Sequence, residues 1–168
     1  MERKPLVGII MGSDSDFPKI QNALTVLKDF DVPFEVHVMS AHRTPRLVED
    51  FVGNARKNGF RVIIAAAGGA APLAGVAASH TTLPVIGIPV ATEMMGGLDS
   101  ILSTLQMPGD IPVATVGTGS GGAKNAGLLA VEILAVSDEA LAEKLAAFRT
   151  ALVEKILKKD AAIQEKVG

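Results

Sequence analysis

Ser40, His42 and Arg43 stand together in "SAHRTP" (40–45), between a β-like run, "FEVHVMS" (34–40), and a helix-like run opening at Pro45. Histidine both takes and gives a proton near neutral pH. Arginine offers a planar fork suited to phosphate. Thr44 as a helix cap, with Pro45 at the first helical position, accounts for the "TP" pair. It does not account for His42 and Arg43, which come just before the cap. A loop histidine hydrogen-bonded to backbone is the plainer explanation. Its place beside an arginine at a strand's carboxyl end favours proton transfer instead. His37, inside a strand, and His80, near a helix end, read as packing or surface residues. The three histidines lack metal-ligand spacing and no carboxylate cluster accompanies them, so no metal site is expected.

A second group lies in "GSDSD" (12–16). Gly12 lets the chain turn, and Ser13, Ser15 or Asp16 can cap the helix that begins near Phe17. Capping uses only one of them. The others suit an anion at a helix N-terminus, or a carboxylate accepting from ribose hydroxyls. "GTGSGG" (117–122) fits G-x-G-x-x-G, but it follows the last strand, so no later strand can carry the acidic ribose ligand. No P-loop and no G-x-S-x-G elbow occurs. The parts on hand are a proton carrier, an arginine, serines, a carboxylate and glycine-rich walls. They fit cofactor-free acid–base chemistry on a small phosphorylated molecule.

These residues must be positioned by the elements around them. Apolar β-rich runs recur at 6–12, 34–40, 61–68, 84–90 and 112–117. Helix-length segments separate them, at about 16–29, 45–58, 73–80, 97–106 and 122–135. Strands apolar at nearly every position predict a sheet covered on both faces, and the alternation predicts a parallel one. The expected fold is α/β, a three-layer sandwich with right-handed crossovers. Ligands then bind outside the carboxyl ends of the strands. Five loops lie there: 12–16, 40–45, 67–75, 90–97 and 117–122, and we expect one continuous site. The stretch 138–166 is a long amphipathic helix pattern, with Leu141, Leu145, Phe148, Leu152 and Ile156 on one stripe. It either packs back on its own sheet or reaches across a neighbouring subunit.

At 168 residues the chain is expected to form one catalytic domain over 1–168, with its core at 5–136. Tryptophan and tyrosine are absent and the net charge is −2, which disfavours a nucleic-acid surface. The absence of cysteine excludes disulfides and thiolate metal sites. No signal-peptide pattern and no unbroken apolar span occurs, so a soluble cytoplasmic protein is expected, with no membrane partner.

Taken together, "MGSDSD", "SAHRTP", "AAAGGAAPLAG", "LPVIGIPV", "GGLDSILSTLQMP" and "IPVATVGTGSGGAKNAGLLA" resemble the catalytic subunit of phosphoribosylaminoimidazole carboxylase. The bacterial form of that family is N5-carboxyaminoimidazole ribonucleotide mutase. The resemblance runs from about Val7 to Leu134 in the family's order. It implies a flavodoxin-like sandwich and a homo-octamer with sites at subunit contacts, which would place the C-terminal helix on a neighbour. It implies an enzyme of de novo purine synthesis that moves a carboxyl group from the exocyclic nitrogen to ring carbon C4 without metal, cofactor or ATP. A separate ATP-dependent synthetase is the implied supplier of substrate. Carried over by position, His42 is the catalytic acid–base. Ser13, Asp16 and Arg43 match substrate-binding positions, with Ser15 and Ser40 nearby. Gly68, Gly69 and Ala70 match the loop that closes around the carboxyl group, with Leu73 beside them. Asp99 in "GGLDS" reads as a helix cap rather than a substrate contact.

One departure stands out. Mutase-type members usually read "GGAAHLPG" where this chain reads "GGAAPLAG", so Pro72 replaces a histidine and Ala74 a proline. A second branch of the family carboxylates aminoimidazole ribonucleotide directly with CO2 and lacks that histidine. "GGLDSILSTLQMP" and "AKNAGLLA" look closer to the mutase branch, which is the expectation, with the direct carboxylase as the alternative. A relative acting on another substrate is a third reading. A nucleotide-binding regulatory module would not need His42, and a purely structural subunit would leave the loops unexplained.

Overall fold

A computed structural model describes residues 4–168. Five parallel strands form one sheet in the order β2-β1-β3-β4-β5. They are β1 (Val7–Met11), β2 (Phe34–Val38), β3 (Val62–Gly68), β4 (Val85–Val90) and β5 (Ala114–Thr115). Six α-helices join or follow them: α1 (Phe17–Asp29), α2 (Pro45–Asn58), α3 (Leu73–Ser79), α4 (Leu98–Leu105), α5 (Gly119–Ala135) and α6 (Glu139–Val167). The three-layer α/β sandwich and the flavodoxin-like strand order are therefore present. β1 and β4 are buried at every position and β3 at its first five, because helices cover both faces. β2 is the exception: as an edge strand it buries none of its five residues.

The two faces have separate cores. On one, α1 and α5 bring Ile20, Leu24, Leu27, Ala126 and Val131 onto Ile9, Ile64 and Ile86. Small residues on α5 let the two helices approach closely. A Cβ at Gly127 would lie 2.9 Å from the Ala23 carbonyl oxygen, so only glycine fits that contact. On the other face, Val48, Val52 and Ala55 of α2 and Ala74 and Ala77 of α3 cover Ile10, Ile63 and Ala65. The short α4 packs against β4 and β5.

β5 is only two residues long, against the six predicted at 112–117. Pro112 has no N–H to give to a ladder, and pairing begins only at Ala114 opposite Ile86.

α6 is capped by Asp138, whose carboxylate accepts the Leu141 N–H at 3.1 Å. Its first turns pack home: Leu141 is buried, and Phe148 meets Phe30 edge-on at 5.8 Å. Arg149 pairs with Glu132 on α5 at 2.9 Å. Beyond these turns Leu152, Val153, Ile156, Leu157 and Ile163 are all exposed. A 29-residue helix is about 44 Å long, more than the sheet it starts on can cover.

Candidate active site

Strand register decides which loops meet. Met11 is paired with both Val38 and Ala66, and Gly68 with Val90. β2, β1, β3 and β4 therefore release their loops at one level. The chain runs outward from β1 to β2 and then crosses back to β3, so β1 and β3 flank the point where the winding reverses, and a crevice opens there. A cleft of about 680 Å³ fills it. A larger hollow of about 900 Å³ lies beside the amino ends of β1 and β2, around Leu6, Val32 and Leu141, but it contains none of the candidate residues.

The cleft is lined by Ser13, Ser15, Asp16, Ser40, His42, Arg43, Gly68, Ala70 and Leu73. With Thr92 and Glu93 of the fourth loop also in the lining, four of the five loops converge. The fifth does not: Gly119 and Ser120 line a neighbouring hollow with Pro18, Asn22 and Pro89. Gly69 also stands apart from the lining. Its left-handed backbone (φ +68°) turns the third loop, and its peptide faces α4 instead. The cleft gains residues that the sequence reading missed, chiefly Lys19, Thr92 and Glu93. Lys19 had a readable signal: it follows Asp16 by three residues across the start of α1, on the same side.

Each loop is fixed locally. Between β1 and α1, Asp14–Asp16 form a single 3-10 turn. Ser13 caps it by accepting the Ser15 N–H, and the two hydroxyls sit 2.8 Å apart. Asp16 occupies the capping position of α1 but makes no capping hydrogen bond, so its carboxylate is left to the cleft. In the second loop, Thr44 precedes α2 as expected yet does not cap it with its side chain. Its Oγ1 accepts the Ser40 N–H at 2.8 Å and donates to the Ser40 carbonyl at 3.1 Å, closing the loop on itself. The Ser40 hydroxyl accepts the Arg43 N–H at 3.2 Å. The Arg43 guanidinium reaches across to the Gly12 carbonyl, tying the first loop to the second. Among the described residues the His42 ring makes no hydrogen bond, so it is not a loop histidine tied to backbone. His37 instead meets Glu35 at 3.1 Å and packs at a tilt against Phe51, and His80 ends α3. Asp99 does not cap α4. It accepts from the Thr92 hydroxyl at 2.9 and 3.1 Å, holding the fourth loop. Pro72 lines the cleft at the start of α3, with φ −78°.

Charges in the cleft balance, with Lys19 and Arg43 against Asp16 and Glu93. Asp16 is 7% exposed. Burial pushes its carboxyl above the ordinary carboxylate value. Lys19, a backbone hydrogen bond from Ser13 and Arg43 pull the other way, and Asp14 adds to the rise.

The model of the AIR carboxylase family matches residues 6–155. The chain belongs to the AIR carboxylase family. Among curated members of the family, a Mycobacterium leprae protein named N5-carboxyaminoimidazole ribonucleotide mutase is 54% identical over 98% of this chain and 95% of its own length. One of the same name from Aquifex aeolicus is 56% identical over 84% of each chain. The crystal structure of Treponema denticola PurE superposes with a TM-score of 0.84 at 30% identity, covering 94% of this chain and 97% of that one.

The Asp16 shift has a measurable sign. Its native-state pKa lies above the unfolded value, so the native chain holds this proton more tightly. That contribution is complete at pH below the ordinary carboxylate value and disappears as pH rises through the raised native value. At neutral pH the buried carboxylate therefore costs stability. Asp16→Asn is expected to raise the urea midpoint at pH 7, with the gain shrinking toward pH 4. A variant that loses stability at pH 7 while matching wild type in acid would contradict the cause assigned here.

Proposed function

We propose that this chain is an N5-carboxyaminoimidazole ribonucleotide mutase of purine biosynthesis, moving a carboxyl group from N5 to C4 to give 4-carboxy-5-aminoimidazole ribonucleotide. The carrying observation is that one cleft joins the untethered His42 to a wall of very small residues, Gly68, Ala70 and Ala71. Curated relatives from M. leprae and A. aeolicus bear the mutase name at 54% and 56% identity, which favours this branch over the direct carboxylase despite Pro72.

The chemistry follows from the parts. His42 protonates the N-carboxylated nitrogen, the N–C bond breaks, and CO2 is released into the cleft. The small-residue wall leaves room for CO2 and carries no polar side chain to hold a water beside it, which disfavours hydration. The electron-rich C4 attacks CO2 and forms the new C–C bond. His42, now neutral, removes the C4 proton and the ring regains its aromaticity. Each cycle returns the histidine to its starting state. Such proton transfer contributes about 10²–10⁴-fold. Holding both fragments side by side contributes more through effective molarity. Arg43, Ser13, Ser15 and Ser40 supply donors for the substrate phosphate, and Asp16 accepts from the ribose hydroxyls.

The same reading makes the chain a cytoplasmic homo-octamer whose substrate comes from a separate ATP-dependent synthetase. Two exposed apolar surfaces support assembly: the far half of α6, and the edge formed by Met94, Met95, Leu98, Leu102 and Leu105 next to the cleft. Exposed apolar patches of that kind mark contacts between chains. We assign α6 beyond Leu152 to a neighbouring subunit. Among the described residues no helix is long and apolar enough to cross a membrane.

Two experiments follow. His42→Asn should lower turnover at least about 10²-fold with the assembly intact. It is assayed without ATP or metal, once with the N5-carboxylated ribonucleotide and once with aminoimidazole ribonucleotide plus CO2 at matched levels. Wild type should be faster in the first arm. A faster second arm places the chain among the carboxylases, and activity surviving in His42→Asn removes the catalytic assignment. Separately, the double substitution Ile156→Asp with Leu157→Asp should break the octamer into smaller species at unchanged helix content. Sedimentation showing the wild-type mass would remove α6 from the interface.

A further inference from the structure

The first two turns of α4 touch both loops on the far wall of the cleft. Asp99 holds Thr92 of the fourth loop. One turn of the same helix grips the third loop twice. The Ser100 hydroxyl accepts the Gly69 N–H at 2.9 Å, and the Ser103 hydroxyl donates to the Gly69 carbonyl at 3.1 Å. Ser100 and Ser103 are three residues apart and so share a helix face. Both polar groups that flank one glycine are thereby satisfied by one helix. Ser100 is fully buried, and the Ser103 hydroxyl also reaches the Ser100 carbonyl at 3.3 Å.

The loop needs such support. Gly69 has φ +68°, and two residues on Ala71 has φ +35°, a left-handed backbone that an alanine adopts at a cost. The residues on either side of Gly69 face the cleft, while Gly69 itself does not. The grip is applied from behind and leaves the cleft face bare.

We propose that Ser100 and Ser103 are positioning residues that hold the Gly69 peptide, so that Gly68 and Ala70 keep the wall closed over the carboxyl group in transit. This rests on the mutase reading above. The wall does not bond to CO2; it confines it. A slack wall therefore affects where the CO2 goes as well as how fast the reaction runs. Released CO2 that escapes leaves aminoimidazole ribonucleotide behind. CO2 that stays becomes the C4 carboxylate.

The test measures that partition from the N5-carboxylated substrate, corrected for its loss without enzyme. Ser100→Ala and Ser103→Ala should each raise the enzyme-dependent share ending as aminoimidazole ribonucleotide. Turnover should fall about 10- to 100-fold with KM changed by less than about threefold. Ser103→Thr keeps the hydroxyl and should keep the wild-type partition. Thr104→Val is the control for a loosened α4: Thr104 is buried and donates to the Ser100 carbonyl at 2.8 Å, but is not bonded to Gly69. It should leave the partition unchanged. Should Ser100→Ala not fold, Ser103→Ala at its partly exposed position carries the test alone. Wild-type partition in the folded alanine variants overturns the proposal, as does an equal change in Thr104→Val. If wild type gives no C4 product from this substrate, the mutase reading itself falls, which is a different result from a working enzyme with indifferent serines.

Discussion

Backbone hydrogen bonding between parallel strands imposes a register, and here the register brings β2, β1, β3 and β4 to the same level at their carboxyl ends. Met11 opposite Val38 and Ala66, and Gly68 opposite Val90, are the pairings that do this. Everything chemical hangs from those four ends. Because parallel strands need a helical crossover, each loop must also begin a helix or lead to one. That requirement explains why serines, an aspartate and a threonine crowd the loops. It also explains why some of them are free for other work once a turn or a cap has taken its share.

The division of labour between loops is physical rather than sequential. The first two loops are polar and are tied to each other by Arg43 reaching the Gly12 carbonyl. The third loop is built of small residues, the fourth adds Thr92 and Glu93, and both are tied to α4, through Gly69 and Thr92. The cleft therefore has one wall tied together within the lining itself and one braced from behind by α4. His42 sits on the first of these walls, and among the described residues its ring makes no hydrogen bond; on the mutase reading, a ring that gives and then takes a proton gains from having no fixed partner.

Much of this was legible in the sequence because it rests on local rules. α2 runs over Pro45–Asn58 as its proline and glycine boundaries dictate. Parallel topology follows from strands with no polar face, and the ligand side follows from the topology. What the sequence hid depends on longer reach. The sequence predicts Thr44 as a cap, and it instead closes a loop through the N–H and carbonyl of Ser40, four residues back. The sequence predicts Asp99 as the cap of α4, but the carboxylate accepts from Thr92, seven residues back in the fourth loop. The motif groups Gly69 with its neighbours, and only the bonds of its N–H and carbonyl to Ser100 and Ser103 show that its peptide faces α4 rather than the cleft. The glycine-rich stretch at 117–122 was placed with the other loops by position after a strand. β5 lies one strand beyond β4, so its loop lines an adjoining hollow that shares only Lys19, Val90 and Ala91 with the cleft.

On the mutase reading, the carboxyl group never leaves the cleft between losing its bond to nitrogen and gaining its bond to C4. The most direct measurement supplies substrate labelled with carbon-13 in the N5 carboxyl group, in excess unlabelled CO2, and reads the C4 carboxylate of the product by mass spectrometry in the first turnovers. Label retained in nearly every product molecule is the expected result. Product carrying the unlabelled carbon of the surrounding CO2 would mean that the carboxyl group is released and replaced, and that the cleft does not confine it.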